Sequence, residues 1–326
     1  MQYTNLGRSG LKVSRLCLGT MNFGWQLGED DSHAILDAGL AAGINFVDTA
    51  DMYGARDYEG TAETYIGSWL AKTGRRDEVV LATKVYQPMG DGPNDRGLSA
   101  RHIVAACEAS LARLGTDRID LYQMHHVDRG TPWEEIWQAM DRLVAQGKVL
   151  YVGSSNFAGW HLAGAQAAAM RRHSLGLVSE QLKYSLLTRA VELEVVPAAQ
   201  ALGIGLLPWS PLAQGLLSGA VRKHREGAAG RTTTHAAARV AEHFEQLQRY
   251  ETFCDELGLH PAAVALAWLL GRPGVTAPIV GPRVPEQLAV PAQALEVTLD
   301  DDAVARLNEL FPPVGNGGPG PEAWAW

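Results

Sequence analysis

Short apolar runs rich in β-branched residues recur along the whole chain, with helical patterns between them. Runs of this length and composition are typical of strands that are buried on both faces, as in a parallel sheet. We predict eight strands, over residues 14–18, 46–48, 79–83, 119–123, 149–154, 177–180, 204–208 and 277–280.

The stretches between these strands have the spacing of amphipathic helices. The clearest one carries apolar residues three or four positions apart over 133–144, and Gly147 follows as a stop signal. Ser99 is placed to cap the N-terminus of a second helix, and Gly115 is placed to end it. Periodicity and capping signals therefore agree on helices that alternate with the strands.

Strands and helices that alternate at a repeat of roughly 25–40 residues close naturally, through right-handed connections, into a parallel barrel. The predicted fold class is α/β, a (β/α)8 TIM barrel that forms a single domain over residues 1–326. We expect the segment NLGRSGLKVS to form an N-terminal hairpin that plugs the bottom of the barrel. Extra helices are expected after strand seven, around 239–257, and at the C-terminus. The Gly/Pro-rich tail at 312–326 is expected to lack regular structure.

Composition narrows the class of protein. Of the 326 residues, 46% are hydrophobic and 20% are charged, which is typical of a globular chain with a large core. The net charge of −8 argues against partners such as nucleic acid or an anionic membrane. The N-terminus lacks the apolar core of a signal peptide, and no apolar run approaches the roughly 18 residues that span a bilayer. The 3 cysteines show no CxxC spacing, so we predict a cytoplasmic protein without disulfides or a zinc site.

Polar residues follow several predicted strands, where the active site of a parallel barrel lies. Asp48 ends the second strand, Tyr53 lies in the loop after it, Lys84 follows the third strand and His125 follows the fourth. We expect these four side chains to converge at the mouth of the barrel. The adjacent pair His125 and His126 is a poor metal site, because neighbouring side chains of a strand point to opposite faces, and we predict no metal.

The four side chains suit a proton relay for hydride transfer. The pKa of a tyrosine is ordinarily about 10, and an ammonium group beside it stabilises the phenolate and lowers that pKa. Lys84 can supply this charge to Tyr53, and Asp48 can hold the lysine charged and oriented. His125 can polarise a carbonyl oxygen. We therefore expect Tyr53 to act as the proton donor.

The chain resembles the aldo-keto reductase superfamily over essentially its whole length. The resemblance is carried by DTADMYG at 48–54, ATK at 82–84, DLYQMHHVD at 120–128, GSSNF at 153–157, EQ at 180–181, PWSPLAQGLLSG at 208–219 and PIVGPRVPEQL at 278–288. It implies that the relay is the family's catalytic tetrad, Asp48, Tyr53, Lys84 and His125. It also implies a nicotinamide cofactor, which a barrel of this kind binds without a GxGxxG loop between a strand and a helix. The one GxGxxG string of the chain, at 315–320, lies in the Gly/Pro-rich tail.

The same resemblance implies four groups of cofactor contacts. The nicotinamide carboxamide is held by Ser155, Asn156 and Gln181. The nicotinamide ring stacks on Trp209. The pyrophosphate is lined by Ser210, Leu212, Gln214 and Gly215. The adenosine and its 2′-phosphate are contacted by Gly281, Arg283 and Gln287.

Two residues at the adenosine end refine the prediction. The guanidinium of Arg283 can pair with a 2′-phosphate, so we expect NADPH rather than NADH. Pro291 stands where many relatives have an asparagine that contacts the adenine, so one hydrogen bond to the adenine is expected to be missing.

The predicted substrate is a small-molecule aldehyde or ketone, held by a wall formed by Trp25, Tyr86 and His126, with Met52 and Trp133 beside it. Residues 97–120 and 146–163 resemble actinobacterial nucleotide-diphospho-hexose 2,3-enoyl reductases of antibiotic deoxysugar biosynthesis, so a keto-sugar is included. His125 favours carbonyl reduction, because the family's double-bond reductases of steroids carry glutamate in its place.

Two other classes of function compete with this prediction. An NADPH-binding regulatory subunit, similar to the potassium-channel β subunits, would share the fold, but the complete tetrad counts against it. A glycosidase needs two carboxylates that face the scissile bond, and Asp48 and Asp51 are too close together in one loop. The sequence does not determine the oligomeric state.

Overall fold

The computed structural model describes residues 1–54, 60–225 and 234–317. The chain begins with an antiparallel hairpin of β1 (Tyr3–Asn5) and β2 (Lys12–Ser14). Parallel strands then form a second sheet, made of β3 (Cys17–Gly19), β4 (Phe46–Asp48), β5 (Val80–Val85), β6 (Ile119–Met124), β7 (Val149–Ser155), β8 (Leu177–Lys183), β9 (Gly205–Trp209) and β10 (Ile279–Val280). Seven of these strands, β3 to β9, are neighbours in chain order, and the eighth, β10, pairs with β3. A bridge between Leu206 and Val275 nearly closes the ring, so the fold is a (β/α)8 TIM barrel.

All eight predicted barrel strands are present, with ends that differ by a few residues. The first prediction, 14–18, is the least accurate, because Ser14 belongs to the hairpin and the barrel strand begins only at Cys17. Several strands run further than their apolar runs, since buried polar residues continue the ladders. Lys84, for example, lies beyond the predicted run 79–83 but continues β5 and is paired with Gln123 of β6.

Helices surround the barrel and follow its strands. Those of the main repeat are α1 (Glu29–Ala41), α2 (Thr61–Thr73), α3 (Ala100–Leu114), α4 (Trp133–Ala145), α5 (Gly159–Arg171) and α6 (Val195–Leu202). The N-terminal cap predicted for α3 is confirmed, because Ser99 Oγ accepts the backbone N–H of His102 at 3.2 Å. Gly115 ends this helix with a left-handed φ of 59°, which a residue with a side chain rarely adopts.

The predicted extra helices are also present. After β9 come α7 (Ala220–Arg225), α8 (Thr234–Glu242), α9 (Phe244–Glu256) and α10 (Pro261–Leu270), and the chain then ends in α11 (Ala289–Ala294) and α12 (Asp301–Leu310). The stretch predicted as one helix over 239–257 is two helices, which break at His243. The tail is not wholly irregular, since Val314–Gly317 form a 3-10 turn, and residues 318–326 lie outside the described part.

The hairpin closes the bottom of the barrel, as the sequence predicts. Leu6 and Val13 are completely buried and pack in one cluster with barrel-lining residues such as Phe46 and Leu121. The backbone N–H of Arg8 donates to the carbonyl oxygen of Gly203 at 2.8 Å, which ties the hairpin loop to the turn between α6 and β9. The mouth at the other end is therefore the accessible one.

Two observations bear on the compartment predictions. Cys17, Cys107 and Cys254 are all free and buried. Within the described ranges, no single helix is long and apolar enough to cross a membrane, although α9 and α10, bent at 89°, meet that test as a pair by length and composition alone.

Candidate active site

The four predicted tetrad residues meet at the mouth of the barrel. Lys84 Nζ donates to Asp48 Oδ2 at 2.6 Å, to the backbone oxygen of Thr49 at 2.8 Å and to the phenol oxygen of Tyr53 at 3.2 Å. The lysine side chain is fully buried, because strand β5 points it into the barrel. The ring of His125 stands edge-on to that of Tyr53, with centroids 6.0 Å apart.

Burial and charge set the protonation states of these groups. Burial raises the pKa of Tyr53, and although Lys84 lowers it, the net shift is upward. Lys84 therefore lowers the pKa of Tyr53 as predicted, but desolvation of the phenolate, which the sequence does not show, outweighs the ammonium. Burial lowers the pKa of Lys84, but Asp48 and Tyr53 outweigh it, so its pKa is raised and it stays charged.

The two adjacent histidines differ from the sequence prediction. Strand β6 ends at Met124, so His125 and His126 lie beyond the pleated part and both line the same cavity. Their rings stack at 5.5 Å with planes 8° apart, which corrects the prediction that they point to opposite faces. Burial lowers the pKa of His125 well below its usual value, and the charges of Lys84 and His126 lower it further. Its imidazole is therefore neutral at neutral pH.

A cavity of about 1250 Å³ extends from the tetrad across the mouth of the barrel to α11. Such a volume exceeds what a drug-sized ligand needs, so it can take a dinucleotide and a small substrate together. Asp48, Tyr53 and His125 line one end. All predicted cofactor residues line its walls, namely Ser155, Asn156, Gln181, Trp209, Ser210, Leu212, Gln214, Gly215, Gly281, Arg283 and Gln287.

Asn156 joins three parts of the site. Its Oδ1 accepts from Trp209 Nε1 at 3.1 Å, and its Nδ2 donates to the backbone oxygen of His125 at 3.1 Å and to Ser155 Oγ at 3.0 Å. Its backbone is left-handed, with a φ of 60°, a conformation that asparagine tolerates better than most residues. Asn156 thus holds the indole of Trp209 and the backbone of His125 in a fixed relation.

Buried Glu180 anchors the turn that carries Asn156. Its carboxyl group accepts from Ser154 Oγ at 2.5 Å and from the backbone N–H of Phe157 at 2.9 Å. Burial raises the pKa of Glu180 to about 8, and these hydrogen bonds offset only part of the rise. The sequence reasoning missed this support, although the pair EQ at 180–181 was part of the family resemblance.

The loop after β9 has an unusual backbone. Ser210, Ala213 and Gln214 are left-handed at φ values of 51°, 49° and 60°, and Gly215 follows at 97°. Successive turns of this kind gather backbone N–H groups into a concave surface, which is a common way of binding phosphate oxygens. The position of this loop on the cavity wall is consistent with its predicted contact to a pyrophosphate.

Charged residues gather at the far end of the cavity. Arg283 lies on this wall with Lys223 and Glu286, and Pro291 lies beside them. Gln287 Oε1 accepts the backbone N–H of Arg283 at 2.8 Å, so it holds the loop that presents the guanidinium. The pyrrolidine of Pro291 offers no donor to an adenine, as expected from the sequence.

The predicted substrate wall is only partly assembled. His126 and Met52 line the cavity, and Tyr86 stands edge-on to His126, with ring centroids 5.5 Å apart. Trp25 is 57% exposed and is not among the cavity-lining residues. Trp133 packs against Phe157 instead, at 5.8 Å between ring centroids, and belongs to the helix layer.

The residues that the sequence reasoning missed include two polar residues of the cavity wall and one hydrogen-bond partner of the tetrad. Thr20 and Asn22 follow β3 and line the cavity, so the rule of polar residues at strand ends would have found them. Asn22 Oδ1 is buried and has no partner within the described ranges, which leaves an acceptor for a ligand hydroxyl. Gln123 is completely buried and donates to Asp48 Oδ1 at 2.9 Å.

Comparison with known proteins places this barrel in a family. A model of the Aldo/keto reductase family matches residues 15–311, and the chain belongs to that family. The family and the oxidoreductase relatives assign it to the oxidoreductases that act on carbonyl compounds.

Particular relatives cover nearly the whole chain. It is 54% identical over 100% of both chains to an uncharacterized oxidoreductase, YrpG, of Bacillus subtilis (strain 168). It is 35% identical to versiconal hemiacetal acetate reductase of Aspergillus parasiticus, over 96% of this chain and 98% of that one. It is 36% identical to a probable voltage-gated potassium channel subunit beta of Oryza sativa subsp. japonica, over 91% and 92%. None of these three is named as a nucleotide-sugar reductase.

Proposed function

We propose that this protein reduces an aldehyde or ketone with NADPH, with Tyr53 as the proton donor. The observation that carries the proposal is the hydrogen-bonded chain from Asp48 through Lys84 to Tyr53, at one end of a cavity that has Arg283 at the other. Proton transfer along these hydrogen bonds needs a substrate oxygen beside the phenol of Tyr53, and the cavity has room for a dinucleotide next to that substrate.

The tetrad supports the protonation half of a carbonyl reduction. When bound, the nicotinamide cofactor supplies the hydride that adds to the carbonyl carbon. Tyr53, protonated because burial raises its pKa, transfers its hydroxyl proton to the carbonyl oxygen. Charged Lys84 stabilises the phenolate that remains, and neutral His125 orients and polarises the carbonyl by donating a hydrogen bond.

The cofactor residues fit this role. Trp209 is held by Asn156 on the cavity wall, where its ring can cover one face of the nicotinamide. Gln181 and Ser155 would hold the carboxamide. The left-handed turns around Ser210 would hold the pyrophosphate through backbone N–H groups.

NADPH is proposed over NADH on the charges at the far end. Arg283 and Lys223 contribute two positive charges to the wall, against the one negative charge of Glu286. A guanidinium pairs well with the 2′-phosphate that distinguishes the two cofactors. Partial burial lowers the pKa of Lys223, and the nearby charge of Arg283 lowers it further, although Glu251 raises it. An anion bound between Lys223 and Arg283 would relieve the repulsion between these two cations.

The substrate proposal is broader than one compound. A relative is named for reduction of versiconal hemiacetal acetate, and Met52 and His126 on the cavity wall, with the ring of Tyr86 edge-on to His126, offer an apolar and aromatic surface to such a carbonyl compound. The segments that resemble deoxysugar reductases add nucleotide keto-sugars to the proposal. Retention of His125 supports a carbonyl group rather than a carbon–carbon double bond as the reduced group.

NADPH consumption, followed by absorbance, tests the proposal with a panel of aldehydes, ketones and a nucleotide 3-keto-4,6-dideoxyhexose. Tyr53→Phe is expected to lower kcat by about 10²-fold or more and to leave NADPH affinity unchanged. Tyr3→Phe is the matched control, because it removes a phenol hydroxyl that binds Gly43 at the opposite end of the barrel. Equal turnover by wild type and Tyr53→Phe would exclude Tyr53 as the proton donor.

A regulatory subunit is the second candidate, favoured by the similarity to the rice potassium-channel subunit. It predicts NADPH binding, a stable protein partner and no turnover across the panel. Turnover that depends on Tyr53 would reject it.

A further inference from the structure

Gln123 lies between the tetrad and the predicted carboxamide site, and neither the relay nor the cofactor motifs include it. It is completely buried near the end of β6, where its register partner on β5 is Lys84. Its Nε2 donates to Asp48 Oδ1 at 2.9 Å, and its Oε1 accepts from Gln181 Nε2 at 3.3 Å.

The next strand leaves room for this side chain. Gly153 on β7 is the register partner of Gln123 on that side. A Cβ atom at Gly153 would lie 3.1 Å from Gln123 Cγ and 2.4 Å from Ser179 Oγ. The barrel wall is therefore shaped around an extended glutamine at this position.

The carboxylate of Asp48 dictates how the neighbouring amides are turned. An ionised carboxylate can only accept hydrogen bonds. Its Oδ2 accepts from Lys84 at 2.6 Å, and its Oδ1 accepts from the Nε2 atoms of Gln123 and Gln181, at 2.9 and 2.8 Å. Both amides must therefore turn their NH2 groups towards Asp48.

The remaining amide atoms then have fixed partners. The second N–H of Gln181 is taken by Gln123 Oε1, so both donors of Gln181 are satisfied inside the wall. What Gln181 has left for the cavity, which it lines, is its carbonyl oxygen. That oxygen can accept from the NH2 of a nicotinamide carboxamide but repels its oxygen.

We propose that Gln123 is a positioning residue, which takes up the N–H of Gln181 that Asp48 leaves free. Only the oxygen of the Gln181 amide then faces the nicotinamide carboxamide, and the orientation of the cofactor ring is tied to the charge of Asp48. The inference rests on the proposed function, because it needs a nicotinamide in the cavity. As a consequence, the preference for a carboxamide NH2 group is set by Gln123, which lies beside the tetrad and contacts Gln181 instead of the cofactor.

The binding test compares three ligands by calorimetry. These are NADP⁺, its 3-acetylpyridine analogue, in which a methyl group replaces the carboxamide NH2, and 2′,5′-ADP, which lacks the nicotinamide. Wild type is expected to prefer NADP⁺ over the analogue by about tenfold. In Gln123→Leu, which keeps the bulk but removes both hydrogen bonds, that preference is expected to fall to about twofold, with unchanged affinity for 2′,5′-ADP.

Gln166→Leu is the matched control. Gln166 is also a buried glutamine, and its amide binds the backbone of Leu175 and Leu177 between α5 and β8. Losing these bonds should lower stability and leave the tenfold ligand preference intact. A merely structural role for Gln123 would give the same result, so an unchanged preference in Gln123→Leu would overturn the inference.

Gln123→Glu adds a rescue that depends on pH. A protonated carboxyl can donate to Asp48 and accept from Gln181, as the amide does, whereas the ionised form can only accept and repels Asp48. We expect the ligand preference of this variant to match wild type at low pH and to be lost as its new carboxyl ionises, with no such change in wild type. A preference independent of pH would contradict the inference. Failure of wild type to bind NADP⁺ at all would instead reject the proposed function on which it rests.

Discussion

The carboxylate of Asp48 and the ammonium of Lys84 form an ion pair of 2.6 Å inside the barrel, with side chains that are 4% and 0% exposed. Charges this deeply buried are stable only as a pair, because each loses its hydration on folding. The pair also fixes the atom that contacts the phenol of Tyr53. Its geometry therefore serves both folding and the proposed proton transfer.

Removing one charge of this ion pair should lower the free energy of unfolding more than removing both charges. We expect Asp48→Asn to lower the free energy of unfolding by roughly 3–5 kcal/mol, since it leaves a buried ammonium without its counter-charge. The double variant Asp48→Asn/Lys84→Met should lose less than the sum of the two single variants, as measured by urea unfolding. Additive losses would show that the two groups do not stabilise each other. The exposed pair of Arg75 and Glu78 is the control, and Glu78→Gln should change little.

The pH dependence of reduction should follow the protonation of Tyr53. Its pKa is raised by burial, and a proton donor is active below its pKa, so the rate of hydride transfer should stay level up to about pH 10 and fall only above it. The lowered pKa of His125 keeps the imidazole neutral, so no loss of rate is expected from it near pH 6.5.

A rapid-mixing measurement of NADPH oxidation between about pH 6 and pH 11 checks this profile. Lys84→Met removes the charge that lowers the pKa of Tyr53, so the residual activity of this variant should decline at a still higher pH. A decline centred well below the ordinary tyrosine pKa in wild type would mean that the ammonium outweighs burial.

Cofactor choice should depend on Arg283. We expect Arg283→Leu to weaken NADPH binding by about 10–100-fold and to leave NADH binding unchanged, because only NADPH carries the 2′-phosphate. The difference should shrink at high salt. Arg306→Leu on α12 is the control, since Arg306 pairs with Glu309 on the surface. Equal weakening of both cofactors would place Arg283 against another part of the dinucleotide.

Glu180 should make the protein less stable as pH rises. Its pKa is about 8 in the folded chain against 4.5 for an ordinary glutamate, so between these values the folded state holds a proton that the unfolded state releases. Stability from this group is complete below the unfolded pKa and is lost as pH rises through the folded one, by roughly 5 kcal/mol at most. In Glu180→Gln the decline between pH 5 and pH 8 should be shallower, as thermal unfolding at each pH can show. An unchanged slope would mean that Glu180 is ionised throughout.

The sequence predicts the barrel well because each strand is an apolar run and the tetrad residues lie at the ends of such runs or in the loop that follows. Gln123 was missed for the same reason. A single polar residue inside an apolar strand has the same sequence pattern as a residue of the hydrophobic core. Only the three-dimensional structure shows that Gln123 faces Asp48. Buried polar residues within strands are therefore where pattern reasoning loses information.

Loop directions were the other source of error. Trp25 and Trp133 lie in segments that the sequence places at the mouth of the barrel. In the structure, Trp25 is exposed and Trp133 packs against Phe157 in the helix layer. The side chains of His125 and His126 were predicted to point to opposite faces, as neighbours in a strand do, but the strand has already ended at Met124. Periodicity holds only while the ladder continues, so positions just past a strand end need coordinates.

The hairpin that closes the bottom of the barrel offers a handle for single-molecule work. Gly10 at its tip is exposed and has open space where a side chain would begin, while Cys17, Cys107 and Cys254 are all buried. Gly10→Cys would thus add a solvent-facing thiol for maleimide coupling. A molecule tethered there would stand on its closed end, with the mouth turned towards the solution.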